Sequence, residues 1–259
     1  MKLGQVARDR VFIGIALIAA WQLVSLASGP YWVSPPYTTL LRFWKGVWSG
    51  EYAFHAGYTL GAALAGFLMG TVPGIALPLV LRRMPVLRKI LDPFLIAGYG
   101  LPKLALAPLF ILWLGIGVEA KIALVASVVF FLVFFSTMAG VESVEKRTLQ
   151  MARVVGATDY QVARHIVWPA IIPFVFAGIR VATPYAIGGV VISELISSNR
   201  GLGYLVQLGA MNFSTADVIA VILAITLITG AASWLVAIAE ARRMRWKGAG
   251  VGLGSVVSD

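Results

Sequence analysis

Side chains that commonly carry enzymatic or metal chemistry are scarce in this sequence. It contains no cysteine and only two histidines, His55 and His165, which lie far apart. The chain therefore offers neither a cysteine ligand set nor a histidine-rich centre for a metal. It also lacks the Gly-x-x-x-x-Gly-Lys-Ser/Thr pattern of a phosphate-binding loop. We expect no catalytic residue, no metal site and no cofactor bound by this chain.

Two ionisable residues, Lys103 and Glu194, lie within long apolar stretches, where a charge is costly and usually marks a functional pathway. Lys103 ends the segment Gly98–Lys103, in which a helix can break and expose backbone groups to a solute. Tyr99, Pro102, Lys103 and Glu194 are therefore candidates for lining such a path. Lys103 would either bind an anion, pair with a carboxylate or reach towards the interface. Glu194 would be a gate, a structural partner or an interface residue.

The longest polar connection runs over residues 142–173 and is called the 142–173 loop below. Its first part, Glu142–Val155, has the pattern of a helix that continues out of the apolar stretch before it. Glu142 and Lys146 are spaced for a favourable ion pair on such a helix. Gly156 would end this helix, because glycine readily adopts the positive φ of a helix C-terminus.

A second, short helix is predicted to follow in the same loop. Thr158 and Gln161 have the spacing of a capping box, so this helix should begin at Asp159 and run to about Val167. Pro169 should stop it, because proline lacks the backbone donor that a helix needs. The pattern fits either an ordinary connector or a docking element for a soluble partner. Three residues would form the apolar side of the short helix: Tyr160, Ala163 and Val167.

The elements that must position these residues are membrane spans. The chain has 259 residues, of which 59% are hydrophobic and only 12% are charged, about half the charged share of a soluble protein. A helix needs about 20 apolar residues to cross a bilayer. We predict an all-α membrane protein with six transmembrane helices. They cover Val11–Ser28, Tyr58–Leu81, Pro93–Gly115, Lys121–Val141, Phe174–Ile196 and Val218–Glu240.

The basic residues fix the orientation of these spans. If the N-terminus is cytoplasmic, 16 of the 21 lysines and arginines fall on the cytoplasmic side, as the positive-inside rule requires. Both termini are then cytoplasmic. The net charge of +10 follows the membrane rather than one folded face, so we expect no nucleic-acid partner.

Residues 1–259 are read as one transmembrane domain. A cytoplasmic N-terminus covers about residues 1–10, an aromatic external segment at the interface covers 29–57, and a cytoplasmic tail covers 242–259. The tail after Lys247 is expected to be disordered. A cleaved signal peptide is the alternative for the first apolar stretch, but five further spans favour an uncleaved anchor.

Residues 150–169 resemble the EAA loop in permease subunits of bacterial binding-protein-dependent ABC importers. That family's pattern is Glu-Ala-Ala, three residues, Gly, nine residues and Ile-x-Leu-Pro. In this chain Ala152, Gly156, Ile166 and Pro169 match the pattern. Gln150, Met151 and Trp168 stand where the pattern has Glu, Ala and Leu.

The resemblance extends to the nitrate/sulfonate/taurine branch of that family and covers roughly residues 34–246. The segments that carry it are Leu91-Asp92-Pro93, Leu101-Pro102, Ala107-Pro108-Leu109, Trp113–Gly117, Lys121-Ile122, Gly178-Ile179-Arg180, Ser193-Glu194-Leu195 and Gly201-Leu202-Gly203.

The resemblance implies a type I ABC importer permease fold and a set of partners. Two permease subunits, expected here as a homodimer, would sit in the bilayer with two ATPase subunits, which bind ATP and Mg²⁺, and a soluble substrate-binding protein. The resemblance implies that the 142–173 loop contacts the ATPase. The residues expected to make or shape that contact are Gln150, Ala152, Gly156, Ala157, Thr158, Asp159, Tyr160, Gln161, Arg164, Ile166 and Pro169.

The branch handles small anions such as sulfonates, taurine and nitrate, and relatives carry pyrimidine vitamin precursors or other heterocycles. Two other classes remain as alternatives. An ion-coupled secondary carrier would show internal repeats and several midplane carboxylates, and a membrane enzyme would show clustered reactive side chains within its spans. Neither pattern is evident in the sequence.

Overall fold

The computed structural model describes residues 3–244, and this part of the chain contains eleven α-helices. A 3₁₀ turn (Lys103–Leu106) precedes the fifth helix, and a π-helical turn (Ala163–Val167) joins the eighth helix to the ninth. The helices are α1 (Leu3–Ser28), α2 (Pro36–Trp48), α3 (Glu51–Leu81), α4 (Pro85–Gly100), α5 (Ala107–Leu114), α6 (Val118–Glu142), α7 (Lys146–Val154), α8 (Asp159–Val162), α9 (Trp168–Ile196), α10 (Leu202–Met211) and α11 (Thr215–Arg243). The disorder predicted after Lys247 lies outside the described residues.

Five helical stretches in the described part are long and apolar enough to cross a membrane, and a bent pair of helices supplies the sixth. The bent pair is α4 with residues 103–114, at an angle of 79°. It covers most of the predicted third span. Leu101 is extended, with ψ of 135°, as expected for a residue before proline, and this ends α4 ahead of Pro102. Five of the six predicted spans are confirmed as single helices, and the third corresponds to the bent pair, which is called the broken third span below.

The centre of the molecule consists of α3, α6 and α9, which pack closely on one another. Small residues on α3 allow this approach. A Cβ atom at Gly66 would lie 2.8 Å from the Ile122 carbonyl oxygen, and one at Gly70 would lie 2.6 Å from that of Ala126. Glycines four residues apart share one face of a helix, so the backbones of α3 and α6 come close along this line.

The outer helices are attached to this centre by specific polar contacts. Arg42 of α2 forms an ion pair with Asp217 of α11, and Arg180 of α9 pairs with Glu240 of α11. The α1 helix is almost entirely exposed. Its carboxyl end is fixed by the Trp21 indole and the Ser25 hydroxyl, which donate hydrogen bonds to backbone carbonyls of the turn that follows.

The predicted helix over Glu142–Val155 is wrong in one respect. The α6 helix ends at Glu142, and α7 starts anew at Lys146, so these two residues do not share a helix. Glu142 pairs with Arg88 of α4 instead. This partner comes from a distant part of the chain and was not visible from local spacing.

Candidate functional site

The first helix of the 142–173 loop ends as its glycine predicts. Gly156 has φ of +78°, a conformation that residues with a Cβ atom rarely adopt. The Ala157 amide donates to the Ala152 carbonyl at 3.0 Å, and the Gly156 amide donates to the Arg153 carbonyl at 3.0 Å. These two bonds form a Schellman motif. They close the end of α7 and set the direction in which the chain leaves it.

The second helix starts with the predicted capping box. The Gln161 amide donates to the Thr158 hydroxyl at 3.3 Å, and the Thr158 amide donates to the Gln161 side-chain oxygen at 2.8 Å. Both contacts satisfy backbone groups that a helix start leaves unpaired. The predicted start at Asp159 is confirmed. Only the short segment around Ala157 and Thr158 separates the two helical parts of the loop, and both of its ends are determined by backbone hydrogen bonds.

The predicted stop at Trp168-Pro169 is wrong. The helix runs without interruption from Asp159 to Ile196. The π-helical turn Ala163–Val167 precedes Pro169, and the Trp168 amide donates to the Ala163 carbonyl five residues back. This wider turn replaces the usual hydrogen bonds of an α-helix just before Pro169, which has no backbone amide to donate. The short helix of the loop and the span α9 are therefore one rod.

Burial of one side of the loop holds it against the membrane domain. Val162 and Val167 are buried in a cluster with Leu81 of α3 and Phe134 of α6. Ala152, Ala157 and Ile166 pack against the same cluster. Several predicted loop residues point away from the cluster and are exposed, namely Gln150, Gly156, Thr158, Asp159, Tyr160, Gln161 and Arg164, while Pro169 is half-buried.

The predicted apolar side of the short helix is only partly right. Val167 is fully buried, but Tyr160 is 65% exposed and its hydroxyl accepts a hydrogen bond from Arg164 at 2.9 Å. The extra residue in the π-helical turn shifts the register, so that Val162 rather than Tyr160 faces the core. Tyr160 is left exposed, as are the apolar side chains Met151, Val154 and Val155 earlier in the same loop.

Lys103 lies at the break between α4 and α5. Its ammonium donates to the Tyr99 carbonyl at 2.9 Å and the Leu101 carbonyl at 3.4 Å, and it lies 4.3 Å from the centre of the Phe131 ring. Among residues 3–244 it forms no ion pair with a carboxylate. Lys103 thus supplies hydrogen bonds to backbone carbonyls at the end of α4. Pro102 is exposed at the same break, as is part of Tyr99.

Glu194 is completely buried near the end of α9 that lies farthest from the 142–173 loop. One carboxylate oxygen lies 3.2 Å from the Lys121 ammonium. The other accepts hydrogen bonds from the Thr59 hydroxyl and the Gly203 amide, both at 2.9 Å. This carboxylate joins α3, α6, α9 and the start of α10. The structure does not bring it into contact with Lys103.

Sequence reasoning missed several residues in and beside this buried network. Lys121 was predicted as the first residue of the fourth span, but it is buried beside Glu194 and also donates to the Ser198 hydroxyl at 2.9 Å. His55 accepts a hydrogen bond from the Gly201 amide at 3.0 Å. The position of Lys121 at the start of an apolar stretch was a usable signal. A charge there needs a partner as the stretch becomes buried.

The sequence of this chain matches a known protein family and several known proteins. A family described as "Binding-protein-dependent transport system inner membrane component" matches residues 62–245. The riboflavin transport system permease protein RibX of Chloroflexus aurantiacus is 30% identical over 233 residues, which cover 89% of this chain and 87% of the relative. The putative aliphatic sulfonates transport permease protein SsuC of Bacillus subtilis is 31% identical over 233 residues, covering 89% and 84%.

A solved structure has the same fold. The chain superposes on the structure described as "Crystal structure of an amino acid ABC transporter with histidines". The TM-score is 0.60 and the sequence identity 16%, and the match covers 73% of this chain and 92% of the other. At this identity the likeness concerns the fold alone. Taken with the spans and the matched family range, it shows that the chain belongs to the inner membrane components of binding-protein-dependent transport systems, as the permease subunit of an ABC importer.

Proposed function

We propose that this chain forms the translocation path for a small solute, as one of two identical subunits, and that its 142–173 loop docks on an ATPase subunit. The ATPase binds ATP and Mg²⁺ and does the hydrolysis. A soluble binding protein delivers the solute from the other side of the membrane. The single observation that carries this proposal is the continuous rod from Asp159 to Ile196, which starts in an exposed loop and runs on as one of the spans.

A rod of this kind can transmit force. Movement at its loop end is transferred along α9, because the helix is unbroken and Val167, Ile171 and Val175 anchor it in the core. The exposed side chains of Met151, Val154, Val155 and Tyr160 offer a partner an apolar surface beside α8. Apolar and aromatic contacts of this type dominate the stability of protein interfaces. Closure of an ATPase around this surface would therefore move α9.

The substrate class that we propose is a small organic or inorganic anion, such as a sulfonate, taurine or nitrate. Lys103 supports this, because its ammonium lies at the break in the third span. Two of its three N–H donors bond to carbonyls, and the third is left for an anion. The similarity to the aliphatic sulfonate permease points the same way. The similarity to the riboflavin permease favours a second candidate, a heterocycle of the vitamin type.

The importer role can be tested in proteoliposomes that contain this chain, its ATPase and the binding protein. We expect uptake that requires both ATP and the binding protein, and none with an ATPase variant that binds but cannot hydrolyse ATP. Parallel assays with a sulfonate and with riboflavin separate the two substrate classes. Uptake by the chain alone, driven by an ion gradient without ATP, would show a secondary carrier and reject the proposal.

A further inference from the structure

A cavity of about 600 Å³ opens where the carboxyl end of α3 meets the helix that begins at Asp159. Two kinds of side chain line it. Leu79, Val80 and Trp168 are apolar or aromatic, whereas Arg82, Arg83 and Arg164 bring three positive charges to the same space. Tyr160 and Arg164 also belong to the proposed ATPase contact, but the arginines and apolar residues at the end of α3 belong neither to that contact nor to the path residues.

The arginines of this cavity lack acidic partners. Within residues 3–244, none of the three forms an ion pair with a carboxylate. In the described part of the chain, Arg164 donates a hydrogen bond to the Tyr160 hydroxyl. The pKa of Arg82 is lowered, first by burial and then by Arg83, and the nearby Asp159 only partly opposes this. The cavity therefore carries an excess of positive charge that an anion would neutralise.

The cavity lies at the edge of the membrane. Arg82 directly follows Leu81, the last residue of the α3 span, and Trp168 is the first residue of α9. Tryptophan and arginine at the ends of spans are typical of the zone of lipid head groups. The charge pattern places this edge on the cytoplasmic side, where anionic lipids attract basic residues. Apolar side chains below the arginines continue the lining towards the hydrocarbon region.

We propose that this cavity binds one anionic phospholipid of the cytoplasmic leaflet, with its phosphate against the three arginines and an acyl chain along the apolar lining. Such a lipid would touch α3, the turn after it and the start of the α8–α9 rod. It would thereby fix the base of the 142–173 loop to the bilayer. This inference requires the membrane orientation but not the importer role.

Retention of lipid by the purified chain tests the proposal. The protein is exposed to micelles containing either phosphatidylglycerol or phosphatidylcholine, and bound lipid is counted by native mass spectrometry. We expect selective retention of phosphatidylglycerol, and a loss of about tenfold or more when Arg82→Gln and Arg83→Gln are combined. The control combines Lys89→Gln with Arg147→Gln, which removes two exposed charges that do not line the cavity, and should retain lipid within about twofold of the original.

Several results would overturn the proposal. Equal retention of both lipids, or equal loss in the control variant, would leave no selective site. Displacement of the lipid by millimolar inorganic phosphate would show a site for free anions. A cysteine at Ala163 that cross-links to the ATPase subunit would show that protein fills the cavity. A thermal-shift assay on the unmodified chain covers the case in which the arginine variant misfolds, because phosphatidylglycerol should raise the melting temperature and phosphatidylcholine should not.

Discussion

Gly156 and Thr158 set the course of the backbone in the 142–173 loop, Gly156 by its positive φ and Thr158 by the capping bond of its hydroxyl. Both could be recognised in the sequence, because a helix C-terminus and a capping box depend only on near neighbours in the chain. The Lys121–Glu194 pair could not be recognised, since it joins residues 73 positions apart through the packing of α6 against α9. Local sequence signals thus predicted the turn of the loop, whereas the buried charge network could be found only once the fold was known.

Substitution of Gly156 tests the role of its positive φ. No atom lies within 4 Å of a Cβ built at this position, so a side chain would not clash and only the backbone conformation is at issue. We expect Gly156→Val to abolish ATP-dependent uptake, because a β-branched residue at this φ costs about 1–3 kcal/mol. Gly156→Asn is the matched variant and should retain most uptake, since asparagine tolerates this conformation. Membrane insertion, measured by the amount of protein in the membrane fraction, should be normal for both. Similar uptake by the two variants would contradict the backbone role.

The buried carboxylate of Glu194 makes a second prediction at this scale. Glu194→Gln should lower stability by about 3–5 kcal/mol, because it leaves the Lys121 ammonium buried without its counter-charge. The melting temperature of the purified protein measures this loss. Adding Lys121→Met to Glu194→Gln should restore part of it. Glu119→Gln, which removes an exposed carboxylate at the start of α6, is the control and should have little effect. A Glu194→Gln protein as stable as the control would mean that the pair does not stabilise the fold.

The helices themselves were largely predictable, because long apolar stretches have few other solutions in a membrane. Their exact ends were not. Pro169 reads as a stop in the sequence, yet burial of Val167 and Ile171 in the core keeps the helix continuous, and the π-helical turn accommodates the proline. Pro102 does break its span, since the residues around it remain exposed and gain no packing from a continuous helix. Tertiary contacts therefore decide which proline interrupts a helix.

The close packing of α3 against α6 can be tested with single methyl groups. Gly70→Ala would place a Cβ atom 2.6 Å from a backbone carbonyl oxygen of α6, so the helices must move apart. We expect a loss of about 1–3 kcal/mol, as for other overpacked cores. Gly61→Ala in the same helix has no atom within 4 Å of the new Cβ and should leave the melting temperature unchanged or slightly raised. Equal melting temperatures for the two variants would argue against a tight α3–α6 contact.

At the scale of the whole molecule, three of the six spans form a compact centre, and the 142–173 loop is folded onto one end of that centre. The almost fully exposed α1 helix is apolar along its span, as a surface against lipid or another subunit requires. We infer the sidedness of this arrangement from the asymmetry of lysine and arginine. The order of the spans and the place of the loop were predictable, whereas the broken third span and the continuous α8–α9 rod depend on how the whole chain packs.

The most direct test of the account is site-specific cross-linking from the 142–173 loop. The chain contains no cysteine, so a single Val155→Cys substitution, at a side chain that is 81% exposed, can carry a photoreactive maleimide without background. In membranes that contain the assembled transporter, we predict cross-linking of this position to the ATPase subunit. A label at Trp32, which is 73% exposed in the turn after α1, should give no such product. Labelling of Val155→Cys from outside intact cells, or active uptake without any cross-link to the ATPase, would contradict the account.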